Sequence, residues 1–387
     1  MNSQMNRASQ APIASGSGRE ASLAPAQVAV VVIGPLPPPV HGQARICELM
    51  TQLLRGRCRL WVGDISSGGF VRGAQYHLRR MLKVMRAGIL LIMNSLHGRR
   101  RLYLAVDARW GLIYAIALMS FARLTRHDIF LHHHSFSYID RRFWPAGALF
   151  WLAGRRATHI VLCNHMGEHV RALYPQIAHT FVMSNAWQSP PVPARRRREI
   201  DTNASRLRVG LLSNLCPEKG LLDFLELLRV AAARSLPIDG VLSGPPVASA
   251  DAQTIADARR EFGAQLDYRG PVYGDAKERF FNDIDVFLFP TRFVVEAESI
   301  VVLEAMSYGV PVIAFARGCI AEDLTESGGL ALPVGGPFVD PALARIEEWL
   351  SNPAVFSAAS AAAATKQWRL FTEATTALDQ LLAALTQ

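Results

Sequence analysis

DVFLFPTRFVVEAESIVVLEAMSYGVPVIAFA, residues 285–316, decides the fold. Its first seven residues are an apolar run closed by proline, which reads as a short buried strand. Ser299 stands at a helix N-cap position. The residues from there to Tyr308 fit about three helical turns, with Gly309 at the stop and Pro311 beyond it. VPVIAF then reads as the next strand. The loop between the first strand and the helix therefore lies at the carboxyl edge of a parallel sheet. Glu296 falls in that loop, and Glu304 lies one to two turns into the helix. The backbone N–H groups at Ser299 and Ile300, at the positive end of the helix dipole, can receive a phosphate. Two carboxylates beside an anion-accepting helix end suit a ligand that carries both hydroxyls and phosphates.

The same alternation extends in both directions. QVAVVVIG (27–34) reads as a first strand entering the proline-rich loop PLPPPVHG, followed by a helix from about Gln43. LYLAV, DIFLHHH, HIVLC and TFVMS read as further strands, separated by segments of helical apolar spacing. Residues 188–206 are rich in Pro and Arg and read as an interdomain linker. A second alternation runs through LRVGLLSN, GVLSG, LDYRG, DVFLFP and VPVIAF, and the chain is expected to be helical from about residue 354. The pattern predicts an α/β protein of two Rossmann-like, doubly wound parallel-sheet domains facing across a cleft, at 27–187 and 207–353.

With 387 residues, half of them hydrophobic, the chain is long enough for two full cores. The first 26 residues, rich in Ala, Ser, Gly and Gln, read as a disordered tail without the apolar core of a signal peptide. The longest apolar runs, at 111–122 and 143–154, are too short to span a bilayer. Five scattered cysteines without metal-ligand spacing read as reduced thiols of a cytoplasmic protein.

Three further elements carry chemistry. In LLSNLCPEKGLLDFLELL (211–228), Lys219 and Gly220 open an apolar-periodic helix, where lysine can hold a diphosphate as a point charge and glycine permits close backbone approach. In GPLPPPVHGQA (34–44), prolines stiffen a loop and Gly42 lets a ligand approach backbone amides. In LHHHSF (131–136), His132 and His134 share one face of a strand end and His133 points away. No third ligand accompanies the pair, so no metal site is predicted.

The Glu296–Glu304 spacing followed by EAMSYGVPVIA resembles the donor-site signature of family 4 glycosyltransferases, which have the two-domain GT-B fold. Lys219 matches the lysine of the family's second donor element, with Ser213 and Asn214 where that element has an arginine. Ala297 and Glu298 stand where the family has glycine. Gly42 matches a first-domain glycine, and His134 the second histidine of a segment near the transferred sugar. The resemblance implies a nucleoside diphosphate sugar donor, a glycan or lipid-linked acceptor, retention of anomeric configuration, and no cofactor or metal. It implies His134, Glu296 and Lys219 as catalytic groups, and Glu304, Lys219, Asn214, Gly42, Ser299 and Ile300 as donor contacts. It also implies that the last helix crosses back to the first domain. Surface polysaccharide or glycolipid biosynthesis fits such acceptors. A sugar-nucleotide epimerase on the same fold, or a non-catalytic membrane-associated assembly subunit, is compatible with the same residues.

Net charge is +9, and its distribution is uneven. No acid occurs between Asp64 and Asp107, whereas Arg72, Arg79, Arg80, Lys83, Arg86, Arg99, Arg100 and Arg101 all do. In the 72–92 segment the cations fall near one helical face, and Leu78, Leu82, Met85, Ile89 and Ile92 line another. Such a helix suits an anionic membrane surface, and peripheral attachment to the cytoplasmic face is expected. Nucleic acid is not, because no aromatic interleaving or reading motif accompanies the block. An ordinary domain helix would instead turn this apolar stripe toward its sheet.

Overall fold

The computed structural model describes residues 28–38, 42–66, 74–96, 98–192 and 206–387. The proposed tail, most of the linker and Arg72 lie outside these. The first domain runs β1 (Val28–Gly34), α1 (Gly42–Leu54), β2 (Arg59–Asp64), α2 (Ala74–Asn94), β3 (Arg99–Val106), α3 (Leu112–Leu124), β4 (Asp128–His133), α4 (Trp144–Ala153), β5 (Thr158–Val161), α5 (Asn164–Leu173) and β6 (His179–Val182). Its strands are all parallel in the order β2-β1-β3-β4-β5-β6. Every residue of β1 is buried, because helices cover both faces of a parallel sheet and leave no polar side. α2, α3 and α4 cover one face, over a core that includes Val31, Ile33, Leu102 and Leu104. α1 covers the other, over Val28, Val30 and Val32.

The second domain runs β7 (Leu207–Leu212), α6 (Leu221–Ala233), β8 (Ile238–Ser243), α7 (Ser249–Phe262), β9 (Leu266–Tyr268), α8 (Asp275–Asp283), β10 (Val286–Phe289), α9 (Ile300–Ser307), β11 (Val312–Phe315), α10 (Ile320–Leu324), β12 (Leu330–Leu332) and α11 (Val339–Ser351). Its parallel order is β12-β11-β10-β7-β8-β9. The chain steps from β7 outward to β9, then returns to β10 on the other side of β7. The loops leaving β7 and β10 diverge there and open a crevice at the carboxyl ends of the strands. Lys219 follows β7 and Glu296 follows β10, so the topological switch point brings together two residues 77 positions apart.

The chain ends in α12 (Pro353–Thr386), 34 residues long and about 50 Å at 1.5 Å per residue. Asn352 caps it by accepting from Val355 N (3.4 Å), with Pro353 in the first turn. Phe356, Ala359 and Ala363 pack into the second domain's core. Leu378, Leu381, Leu382 and Leu385 pack under β1 with Val28, Val30 and Val32. One rigid helix thus belongs to both cores.

Candidate active site

The turn after β7 places Lys219 against the end of β10. Gly220 takes φ +88°, and a Cβ there would lie 2.7 Å from the Pro290 carbonyl oxygen, so only glycine permits this approach. The Lys219 ammonium pairs with the Glu296 carboxylate, both side chains largely buried. It also stands 4.6 Å from the ring centroid of Phe293, a favourable cation–π distance.

Glu304 lies just past the first turn of α9. Its Oε1 accepts from Lys277 Nζ (2.5 Å), while its buried Oε2 has no hydrogen-bond partner among the described residues. Burial pushes this carboxyl up, and Lys277 draws it back down. An orphaned carboxylate oxygen is costly unless a ligand hydroxyl satisfies it. Ser299 occupies the N-cap of α9 in extended conformation, with no side-chain cap bond. The N–H groups of Ile300 and Val301, in the first turn, have no intrahelical acceptor. Asn214 is exposed at the mouth of the β7 turn.

On the first domain, His134 follows β4 at the sheet's carboxyl edge. Its ring lies 4.0 Å from that of His132, which shares its face, and His132 Nδ1 is 2.5 Å from the Tyr103 hydroxyl. His133 points the other way, to Tyr138 OH (2.9 Å) and His159 (3.0 Å). Burial, with the neighbouring histidines, pushes His132 and His133 well below the ordinary imidazole range; burial alone takes His159 to about 3. These three rings are therefore neutral. Among the described residues no group of three or more metal-ligating side chains is placed to hold an ion. Gly42 opens α1 at this edge, with Gln43 Nε2 donating to Val106 O (3.2 Å).

The two edges are joined directly. Asp140, six residues past His134, pairs with Arg317 of the second domain. Arg317 also donates to the carbonyls of Phe293 (3.3 Å) and Val294 (2.5 Å), in the loop that carries Glu296. Glu322 of α10 accepts from Asn164 N (3.2 Å), Asn164 Nδ2 (2.8 Å) and His165 N (2.9 Å) at the start of α5, where the helix dipole favours an anion. Glu298 turns away from the crevice and accepts from Ser184 Oγ (2.7 Å) and Asn185 N of the first domain. Burial raises its pKa to about 7 against those two bonds.

Two expectations need correction. The cysteines are not all reduced thiols: Cys163, preceding α5, and Cys319, preceding α10, form a disulfide with Cα atoms 5.9 Å apart. Their separation of 156 residues conceals a proximity that exists only once the domains close. The cationic face of α2 is also not wholly free. Lys83 pairs with Asp64 (2.5 Å) and Arg80 with Asp107 (2.5 Å), so the two acids that bound the basic block neutralise part of it. Lys277, the partner of Glu304, went unread because it sits on a helix without any motif. Edge strand β2 also went unread, as RLWVGD begins with charge.

Residues 206–352 match the family model described as glycosyl transferases group 1, so the second domain is a group 1 glycosyltransferase domain. The whole chain has the GT-B architecture. It superposes on Anabaena Alr3699/HepE in complex with UDP at TM-score 0.65 and 15% identity, covering 92% of this chain and 99% of that one. Sucrose-phosphate synthase of Thermosynechococcus elongatus gives 0.66 and 16%, covering 92% and 99%. The lipopolysaccharide outer core galactosyltransferase WaaB in its apo form gives 0.61 and 14%, covering 90% and 99%. No curated protein matches the chain in sequence.

Proposed function

We propose that this glycosyltransferase moves a sugar from a nucleoside diphosphate sugar to a glycan or lipid-linked acceptor, with retention of configuration and without a metal, in surface polysaccharide or glycolipid synthesis. The observation that carries the reading is the crevice of Lys219, Glu296 and the orphaned Glu304 Oε2 beside the start of α9. Glu304 Oε2 accepts from a ribose hydroxyl, and Glu296 contacts the donor sugar. Lys219 and the N–H groups at Ile300 and Val301 take the diphosphate and stabilise the charge that grows on it as it leaves. In the unliganded site Glu296 already neutralises Lys219, so the diphosphate must compete with it. His134 contacts the transferred sugar from the acceptor side. UDP and UDP-glucose complexes of HepE make uridine the first base to try.

The setting we propose is the inner face of a membrane. Among the described residues no helix is long and apolar enough to cross one. α2, however, buries Val84, Ala87, Gly88 and Leu91 and exposes the opposite stripe: Leu78, Leu82, Met85, Ile89 and Ile92 are each 47–57% accessible. Arg79 and Arg86 are exposed beside them. An apolar stripe turned to solvent with flanking arginines fits an anionic bilayer.

The test is a thermal-shift panel of UDP, GDP, ADP and CMP, because a ligand of the native state raises its melting temperature. Donor turnover is then measured with and without membrane extract. A shift by one diphosphate and acceptor-dependent turnover are expected. Turnover to an isomeric nucleotide sugar without acceptor would make the chain an epimerase, and binding without any turnover an assembly subunit.

A further inference from the structure

Lys277 has no part in the donor contacts described above, yet its setting gives it one. It lies in the first turn of α8, the helix that leads into β10, whereas Glu304 lies on α9, the helix that leaves it. Two rungs join these helices. Phe281 stacks on Tyr308 with ring centroids 5.5 Å apart, and Lys277 Nζ donates to Glu304 Oε1 (2.5 Å). Lys277 and Phe281 are four residues apart on one helix, as are Glu304 and Tyr308, so each pair shares a helical face. Phe281 is also buried against Phe287 of β10, centroids 5.9 Å apart. The aromatic rung therefore already seats α8 on α9 and the sheet. The ionic rung adds little to that, because desolvation of a buried pair offsets most of its attraction.

The ionic rung acts on a carboxylate. The Glu304 side chain is 16% exposed, and Lys277 is the charged group that acts on it among the described residues. The other acid and base of the donor site, Glu296 and Lys219, face one another. Burial pushes the Glu304 carboxyl up, while the charge and hydrogen bond of Lys277 draw it down. Deprived of the ammonium, a buried carboxyl takes up a proton and turns from pure acceptor to part donor. A sugar hydroxyl then meets a neutral partner, and the charge-assisted bond is lost. Lys277 engages Oε1 and leaves Oε2 without a partner among the described residues.

We propose that Lys277 is a positioning residue of the donor site: by gripping Oε1 it fixes the Glu304 carboxylate with Oε2 left as a charged acceptor for a ribose hydroxyl. This rests on the donor reading above and deepens it, since it names the group that prepares the ribose subsite. Lys277 acts through Glu304 and not on the nucleotide.

The test is calorimetric titration with UDP, GDP and ADP at about pH 6 and about pH 8, on either side of a carboxyl raised by burial. Wild type is compared with Lys277→Met, Lys277→Arg, Glu304→Gln and the double variant Lys277→Met with Glu304→Gln. The ratio to wild type at each pH cancels the titration of the nucleotide itself. Lys277→Met is expected to weaken the diphosphate that wild type binds by about tenfold or more near pH 6. The loss should be smaller near pH 8, because the carboxyl regains its charge as pH rises. Lys277→Arg keeps the cation and should return the ratio to the same value at both pH values. In the Glu304→Gln background, Lys277→Met should add no pH dependence, since an amide does not titrate. The Phe281–Tyr308 rung remains in every variant and keeps α8 in place. A loss equal at both pH values, or one that persists in full in the Glu304→Gln background, would overturn the proposal. The Glu304 carboxyl is also titrated without nucleotide by carbon NMR, with Glu304→Gln supplying the assignment. Its titration should move upward in Lys277→Met, and identical curves in wild type and variant would overturn the proposal. If wild type binds none of the three diphosphates, the donor reading falls, and the carboxyl titration still decides whether Lys277 holds Glu304 charged.

Discussion

In the second domain the ligand edge is built from charge, whereas in the first it is built from neutral rings and exposed hydrocarbon. Lys219, Glu296, Lys277 and Glu304 form two ion pairs at the β7/β10 crevice. Across from them, His132, His133 and His159 are held neutral, and the helices beyond expose Leu82, Met85, Ile89, Trp144 and Trp151. A soluble domain gains nothing by exposing that much apolar surface, while a surface that meets lipid does. The difference suits a charged, water-borne donor on one side and an amphiphilic acceptor on the other.

The division is broken most sharply at His134. His134→Ala is expected to lower turnover by about 10²–10⁴-fold with nucleotide affinity unchanged. Near-normal turnover would make the histidine structural. Next come Glu304→Ala and Lys219→Ala, each expected to weaken nucleoside diphosphate binding by about 1.5–3 kcal/mol, or about ten- to hundredfold. Identical calorimetric titrations for wild type and both variants would remove the donor from this crevice. On the opposite side, Arg79→Gln with Arg86→Gln should lower sedimentation with anionic vesicles at low salt, at about 1 kcal/mol per arginine. Arg80 and Lys83 are left intact because their pairs with Asp107 and Asp64 hold α2 in place. Equal sedimentation of the two proteins would end the membrane reading.

Two predictions concern the seam between the domains. Reduction of Cys163–Cys319 is expected to lower stability by about 2–4 kcal/mol and to expand the particle in small-angle scattering, since the bond spans the cleft. An oxidised protein in which all five cysteines react with maleimide would refute the pairing. The smallest effect is that of pH. Glu298, with a native pKa of about 7, keeps a proton that the unfolded chain releases near the ordinary carboxyl value of 4.5. Stability therefore falls as pH rises from 4.5 through 7. Asp323, also buried and raised, acts in the same direction, opposed by Lys366. Glu298→Gln keeps an acceptor for Asn185 N and should melt a few degrees above wild type at pH 8, with no gain at pH 4.5. A gain independent of pH would show that the carboxyl does not titrate in this range.

The strands and helices were legible because a parallel sheet covered on both faces demands short, continuous apolar runs such as VAVVVIG and VFLF, separated by helical spacing. The crevice was legible in part for the same local reason. Gly220 and Gly309 punctuate strand–turn–helix units, and those units put Lys219, Glu296 and Glu304 at sheet edges whatever the rest of the chain does. That much the sequence determined by itself. Only the tertiary structure decided which groups meet: Lys277 with Glu304, Glu298 with Asn185, Glu322 with the start of α5, and Cys163 with Cys319. It also decided that the apolar stripe of α2 faces outward, which periodicity cannot settle because a helix has an apolar stripe whether it lies on its own sheet or on a foreign surface. These pairings join residues 27 to 158 positions apart. Short-range propensity reaches only a few residues, and the distances between such partners are set by how each sheet packs its helices and how the two domains close.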